Sequence, residues 1–276
     1  MSTVADYQNM IIADAPLLYW PLNDGGTTAD DFSGNGRHGT LGTAALWTPA
    51  PVATRRGDYC FVCNAASGNA ISYTGTMDTL NAVGLSVEFW IYQATVSGSV
   101  LYPYIYGLGG WSEFGGIGST SGGFNIGTNL ASRLSTTLSA TTWTHIVFTQ
   151  EPDGTSRLYK NNSLVDGPTV KTRPTQDMTG FCIDNGGTNH TDYWQHVAVY
   201  DKVLTATDVA NRYTMAMDQN SLVIKNEVLL SPRNVINATY NRVPYMQPAR
   251  QRWPIGVYVP EDVDGNDLDG ELDGDA

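Results

Sequence analysis

The sequence predicts an all-β protein of antiparallel strands, on three observations. Its 276 residues include 29 Gly and 15 Tyr and only 15% charged residues, a composition that favours short strands and turns over long helices. Period-two alternation of apolar and polar residues recurs along the chain, and glycine-, proline- or asparagine-bearing turns separate the alternating runs. The length suffices for a full hydrophobic core, in one large sandwich or two small domains, and does not itself choose between them.

Residues 16–24, PLLYWPLND, read as the opening strand, and the DFSGNG run from Asp31 to Gly36 as a turn-rich loop. Strands are expected near residues 59–63, 69–74 and 85–93. In the last of these, Leu85, Val87, Phe89 and Ile91 alternate with Ser86, Glu88, Trp90 and Tyr92, so one face is cleanly apolar and Glu88 points outward as a solvated or hydrogen-bonded residue. From Gly107 to Gly127 nine of twenty-one residues are glycine, interrupted by Trp111, Phe114 and Phe124. This reads as two short strands joined by loops, of the kind that often carries function.

Residues 143–166, WTHIVFTQEPDGTSRLYKNNSLVD, predict a three-strand meander. Trp143, His145, Val147 and Thr149 share one face, and Thr144, Ile146, Phe148 and Gln150 the other. Proline and glycine in Glu151–Gly154 reverse the chain, and Asn161–Asn162 can both take positive φ in a tight turn. YWQHVAVYD supplies the last strand. LTATDVANRYTMAM then changes period: Thr205 and Asp208 form a capping pair, and Val209 and Tyr213 share a helical face.

The net charge of -12 is uneven. Residues 221–260 carry five Lys/Arg against one acid, whereas residues 261–276 carry eight acids and no base. An acidic body disfavours nucleic acid as a partner, because phosphate recognition rests on clustered Lys and Arg. No run approaches the ~20 apolar residues of a membrane helix, and the opening residues lack a basic export signal, so no membrane insertion is expected. Cys60 and Cys63 have metal-knuckle spacing but sit in a strand pattern that points them apart; with Cys182 as the one other thiol, free buried cysteines are the reading. Residues 261–276 lack the glycine and flanking helices of a helix-loop-helix calcium site and read as a solvated tail.

Five segments, in order, resemble the laminin-G-like, concanavalin A-like lectin/glucanase domains: APLLYWPL, the ADDFSGNGRHGT stretch at 29–40, SVEFWIY at 86–92, WTHIVFTQEPDGTSRLYKN at 143–161, and HVAVYDKVLTATDVANRY at 196–213. The resemblance implies a two-sheet antiparallel jelly roll of roughly a dozen strands, here over residues 1–220 and closed by a short C-terminal helix. Such sandwiches host lectins, glycosidases and adhesive modules alike, so function has to come from the site.

The family's glucanases carry paired carboxylates on one strand in an E-x-D-x-x-E pattern. Glu88 stands alone, and His38, His145, His190 and His196 have no nucleophile elbow beside them. His145 and His196 are expected as partly buried strand residues, and the chain as a non-enzyme. The resemblance also implies calcium at Asp31, although Gln195 and His196 stand where relatives place a second acid. Asp31, Asn35 and backbone carbonyls remain the candidate structural calcium ligands, and no other cofactor is expected.

A pyranose has an apolar face and hydroxyls needing partners. Trp111 and the run Asn189, His190, Asp192, Tyr193 and Trp194 are therefore the candidate carbohydrate contacts. The segment 221–260, punctuated by Pro232, Pro244, Pro248, Pro254 and Pro260 and studded with Tyr, Met and Trp, reads as an extended assembly arm. The combination resembles bacteriophage virion proteins in which such a domain is joined to an attachment segment. The expectation is a virion-located, homo-oligomeric capsid decoration or tail-associated subunit, contacting other virion subunits through 221–260 and displaying the sandwich to cell-surface glycan. The alternative is a stand-alone carbohydrate-binding protein, and after it a glycoside hydrolase.

Overall fold

The fold is given by a computed structural model that describes residues 4–23, 27–42, 46–54, 57–64, 71–77, 83–94, 101–107, 123–126, 133–173, 178–185 and 191–217. Trp111, Asn189, His190, the segment 221–260 and the acidic tail 261–276 lie outside the described residues. In chain order the elements are α1 (Val4–Ala13), β1 (Leu18–Trp20), β2 (Thr28–Ala29), β3 (Gly39–Leu41), β4 (Leu46–Thr54), β5 (Gly57–Asn64), β6 (Ile71–Met77) and β7 (Leu85–Gln93). They continue with β8 (Leu101–Gly107), β9 (Gly123–Ile126), β10 (Leu134–Thr137), β11 (Trp143–Gln150), β12 (Thr155–Lys160), β13 (Ser163–Val170), β14 (Met178–Asn185), β15 (Thr191–Tyr200) and α2 (Ala206–Met217).

The strands form two antiparallel sheets and a small ribbon. The larger runs β13-β12-β11-β7-β15-β5-β4, with β1 also paired to β15; the smaller runs β2-β3-β6-β14-β8; β9 and β10 pair with each other. Leu85, Val87, Phe89 and Ile91 of β7, Ile146 and Phe148 of β11, and Phe61 and Trp194 meet Ile71, Met77 and Ile183 of the smaller sheet in one apolar core. A second core lies on the opposite face of the large sheet, where Trp90, Val147, Ala198 and Tyr200 meet Tyr7 and Ile11 of α1 and Val209 and Ala216 of α2. The large sheet is thus covered on both faces, by a sheet on one side and by helices on the other. At Gly39, a Cβ would stand 2.5 Å from Ile71 Cγ2 and 2.9 Å from Trp20 Cζ2, so the inner layer closes there only around glycine.

The meander forms as the alternation predicts. Phe148 pairs with Leu158 and Ile146 with Phe89, and Gly154, Asn161 and Asn162 take positive φ at the two turns. At the start of α2, the Thr205 N–H and hydroxyl both donate to Asp208 Oδ2 (2.8 and 2.7 Å), and the Asp208 N–H reaches back to Thr205 Oγ1 at 3.2 Å. This is a capping box with aspartate as the reciprocal acid. Helix α1 is not among the expected elements; its Tyr7 and Ile11, four residues apart on one face, bury against the large sheet.

β15 changes neighbours midway. Its first half pairs with β5 (Trp194 with Phe61) and its second half with β1 (Val197 with Trp20). Along β7 the register slips between Gln195 and Ala198, a bulge that contains His196 at a φ of 51°. One extra residue reverses the inside–outside alternation. Trp194 therefore faces the inner core together with Val197 and Val199, although strict alternation would oppose them.

Candidate functional site

Of the candidate sugar contacts, Asp192, Tyr193 and Trp194 are described, and the structure separates them. Trp194 is fully buried, its ring 5.0 Å from that of Phe89; Asp192 is fully buried as well. As placed, neither can touch a sugar, and the cause is the bulge that sends Trp194 inward. Tyr193 is half-buried on the helix-covered side of the sheet, packed against the core that α1 and α2 help to form.

There Tyr193 is paired across strands with Tyr92, and Tyr92 with Trp143. Three aromatics on adjacent strands make one rung, with the Tyr92 ring 5.5 Å from Tyr193 and 5.7 Å from Trp143. Trp143 is the buried end, at 6% exposure, while both tyrosines keep part of their rings at the surface. Burial raises the Tyr193 pKa, and Cys60, Tyr92 and Asp192 add to the rise, so its hydroxyl is a neutral donor and acceptor at physiological pH. Tyr92 escapes the sequence reading, and the signal was there: it follows Trp90 at a spacing of two in SVEFWIY.

The outward face of β7 also holds a buried polar cluster. Of the two readings of Glu88, the hydrogen-bonded one holds and the solvated one does not, because α1 and α2 lie over it and it is 0% exposed. Its Oε1 accepts from His145 Nε2 at 2.9 Å and lies 3.4 Å from the Tyr7 hydroxyl. Its Oε2 accepts from the Tyr200 hydroxyl at 2.9 Å and from Arg212 Nη1. Arg212 Nη2 pairs with Asp14, which also pairs with Lys202. Trp90 Nε1 donates to the Tyr7 oxygen at 2.8 Å, and the Trp90, His145 and Tyr213 rings lie near-parallel in mutual contact, with centroids 4.7, 5.8 and 6.2 Å apart.

Burial alone would raise the Glu88 pKa, but Arg212, His145 and Tyr200 outweigh it and hold the carboxyl at about 2. Burial likewise opposes charge on Arg212, and Glu88, Tyr200 and Asp14 overcome it and raise its pKa. Desolvation and the Glu88 charge push Tyr200 well above the ordinary phenol range. A carboxylate with both oxygens bound, sealed under two helices and lacking a second carboxylate among its partners, is arranged to fasten rather than to transfer protons. His145 and His196 are fully buried, not partly; the His196 Nδ1 lies 2.7 Å from the Tyr19 hydroxyl, and its strained backbone is held by its N–H to Pro21 O at 2.9 Å.

In the Asp31–Arg37 turn, donors converge on the Asp31 carboxylate and on the carbonyls leading into β1. Asp31 Oδ1 accepts the N–H groups of Tyr19 (2.9 Å) and Ser33 (3.0 Å); Oδ2 accepts the Ser33 hydroxyl and the Arg37 N–H, both at 2.7 Å. Asn35 uses its Nδ2 to donate to the carbonyls of Pro16 (3.1 Å) and Leu17 (3.0 Å). Among the described residues no three His, Cys, Asp or Glu side chains converge in a metal-binding group. Calcium needs six to eight oxygens with lone pairs free, and the two Asp31 oxygens already face four protons. The residues as arranged do not fit it.

The family model for the concanavalin A-like lectin/glucanases superfamily, in its laminin-G-type form, matches residues 65–210, just over half of the chain. No curated protein matches the sequence. Among solved structures, the binding domain of botulinum neurotoxin DC in complex with SialylT is 16% identical, with 75% of this chain and 53% of that one covered and a TM-score of 0.55. The botulinum neurotoxin serotype D binding domain is 14% identical, with 72% and 51% covered and a TM-score of 0.55. The neurotoxin DC binding domain in complex with rat synaptotagmin II gives 14%, 76% and 53%, and 0.53. The chain spans about half the length of these solved chains, and at such identities the likeness is one of fold.

Proposed function

Because the chain belongs to the concanavalin A-like lectin/glucanases superfamily, we propose that it is a non-enzymatic, lectin-like display module that takes neutral glycan on its outer sheet face. The carrying observation is the rung in which Tyr193 and Tyr92, both half-buried, pair across strands and meet edge to face with ring centroids 5.5 Å apart. A flat ring accepts the apolar face of a pyranose, and a phenol hydroxyl partners its hydroxyls. The engagement of both Glu88 oxygens supports the non-enzymatic reading. The neurotoxin binding domain complexed with SialylT offers an analogy of fold only.

We place this module in a bacteriophage virion, as a capsid decoration or tail-associated subunit. The support is the sequence of residues 221–260, whose prolines and apolar side chains suit a segment that lies on another protein. Many copies on one particle would raise the avidity of a weak glycan contact. The test pairs two measurements on the full chain and on residues 1–220. In sedimentation, an oligomer that collapses to monomer on truncation supports assembly through the arm; two monomers favour the stand-alone carbohydrate-binding protein. On a glycan array, retention lost in Tyr193→Ala with folding intact supports the site, and retention unchanged removes it.

A further inference from the structure

In the Asp31–Arg37 turn three side chains converge on one carbonyl. The Leu17 oxygen receives Arg37 Nη1, Asn35 Nδ2 at 3.0 Å and the Ser33 hydroxyl at 3.4 Å. The Leu17 N–H on the same residue donates to Val199 O at 2.7 Å, so the residue whose carbonyl receives the guanidinium is itself fixed to β15. The turn closes back on β1: the Arg37 carbonyl accepts Trp20 Nε1 at 2.9 Å, the Arg37 N–H donates to Asp31, and Asp31 in turn holds the Tyr19 N–H.

We infer that the Arg37 guanidinium is the resident cation of this turn, fastening it to the lead-in of β1 where relatives are expected to use calcium. A charged donor on a carbonyl does what a bound divalent ion would do there: it concentrates positive charge on backbone oxygen and fixes two segments together. It also removes the ligand, since an oxygen that accepts three donors has no lone pair left for a metal. Asp31 cannot compensate, because backbone N–H groups of Tyr19 in β1 and of Ser33 and Arg37 in the loop hold it. The turn is therefore organised by protein groups alone and keeps its shape in chelator.

Thermal unfolding and calcium titration of the full chain test this. The expected results are an unfolding midpoint that is the same in EDTA and in millimolar calcium chloride, and no saturable heat on calcium titration. Arg37→Ala lowers the midpoint by roughly 3–8 °C, and calcium does not restore it. Arg37→Gln, which can still donate to a carbonyl without the charge, falls between the two and keeps the assay readable if the alanine variant does not fold. A calcium-dependent rise in the parent protein that Asp31→Ala abolishes, a recovery of Arg37→Ala by calcium, or an Arg37→Ala midpoint equal to the parent's would each overturn the inference.

Discussion

Arg212 of α2 donates through Nη1 to Oε2 of Glu88 in the middle of β7, across 124 residues of sequence, and both side chains are excluded from water. The same guanidinium reaches Asp14, at the end of α1, through Nη2. One side chain thus fastens the two helices to the sheet. A buried charge left without its partner is far more costly than the pair itself is stabilising.

Arg212→Met is accordingly expected to destabilise the protein by about 3–5 kcal/mol in denaturant unfolding. Glu88→Gln combined with Arg212→Met should cost clearly less than the two single changes added together, since it leaves no lone charge. Additive losses would mean that the two groups do not act as a pair.

The pair also sets an acid limit. Glu88 has its folded-state pKa lowered from 4.5 to about 2, so its contribution is complete above the unfolded value and is lost as pH falls from about 4.5 toward 2. The unfolding free energy of the parent should decline across that window, and Glu88→Gln should flatten the decline. An acid limb of equal slope in the variant would assign it to other carboxylates.

Tyr193 and Trp194 are neighbours with opposite expectations. Trp194→Ala should cost about 3–5 kcal/mol, because it empties a fully buried site against Phe89. Tyr193→Ala should cost much less in stability while reducing glycan retention, and Tyr92→Ala should do the same. Urea melts beside column retention on immobilised neutral glycans separate the two effects; equal melting losses at both positions would make Tyr193 a packing residue.

The α2 cap gives a smaller, local prediction. Thr205→Ala removes an acceptor for the Asp208 N–H and a donor to its carboxylate, and should cost about 1 kcal/mol in thermal unfolding. Thr205→Ser should restore most of it.

The sequence by itself determined the local geometry: the two faces of β7 and β11, the turns at Gly154 and Asn161–Asn162, the capped start of α2 and, through five ordered segments, the family. These depend on side-chain period and backbone preference among near neighbours, which a linear reading carries directly. Only the tertiary structure decided what covers each face. Alternation puts Glu88 opposite Val87 and Phe89, but its burial depends on Tyr7, His145, Tyr200 and Arg212, which the chain brings from 57 to 124 residues away. A lone Arg212 within the apolar stripe of Val209, Tyr213 and Ala216 was the legible trace of that contact. The bulge at His196 decided Trp194 and Tyr193 in the same way, since one extra residue exchanges the faces of everything before it, and it falls where the strand changes neighbours from β5 to β1.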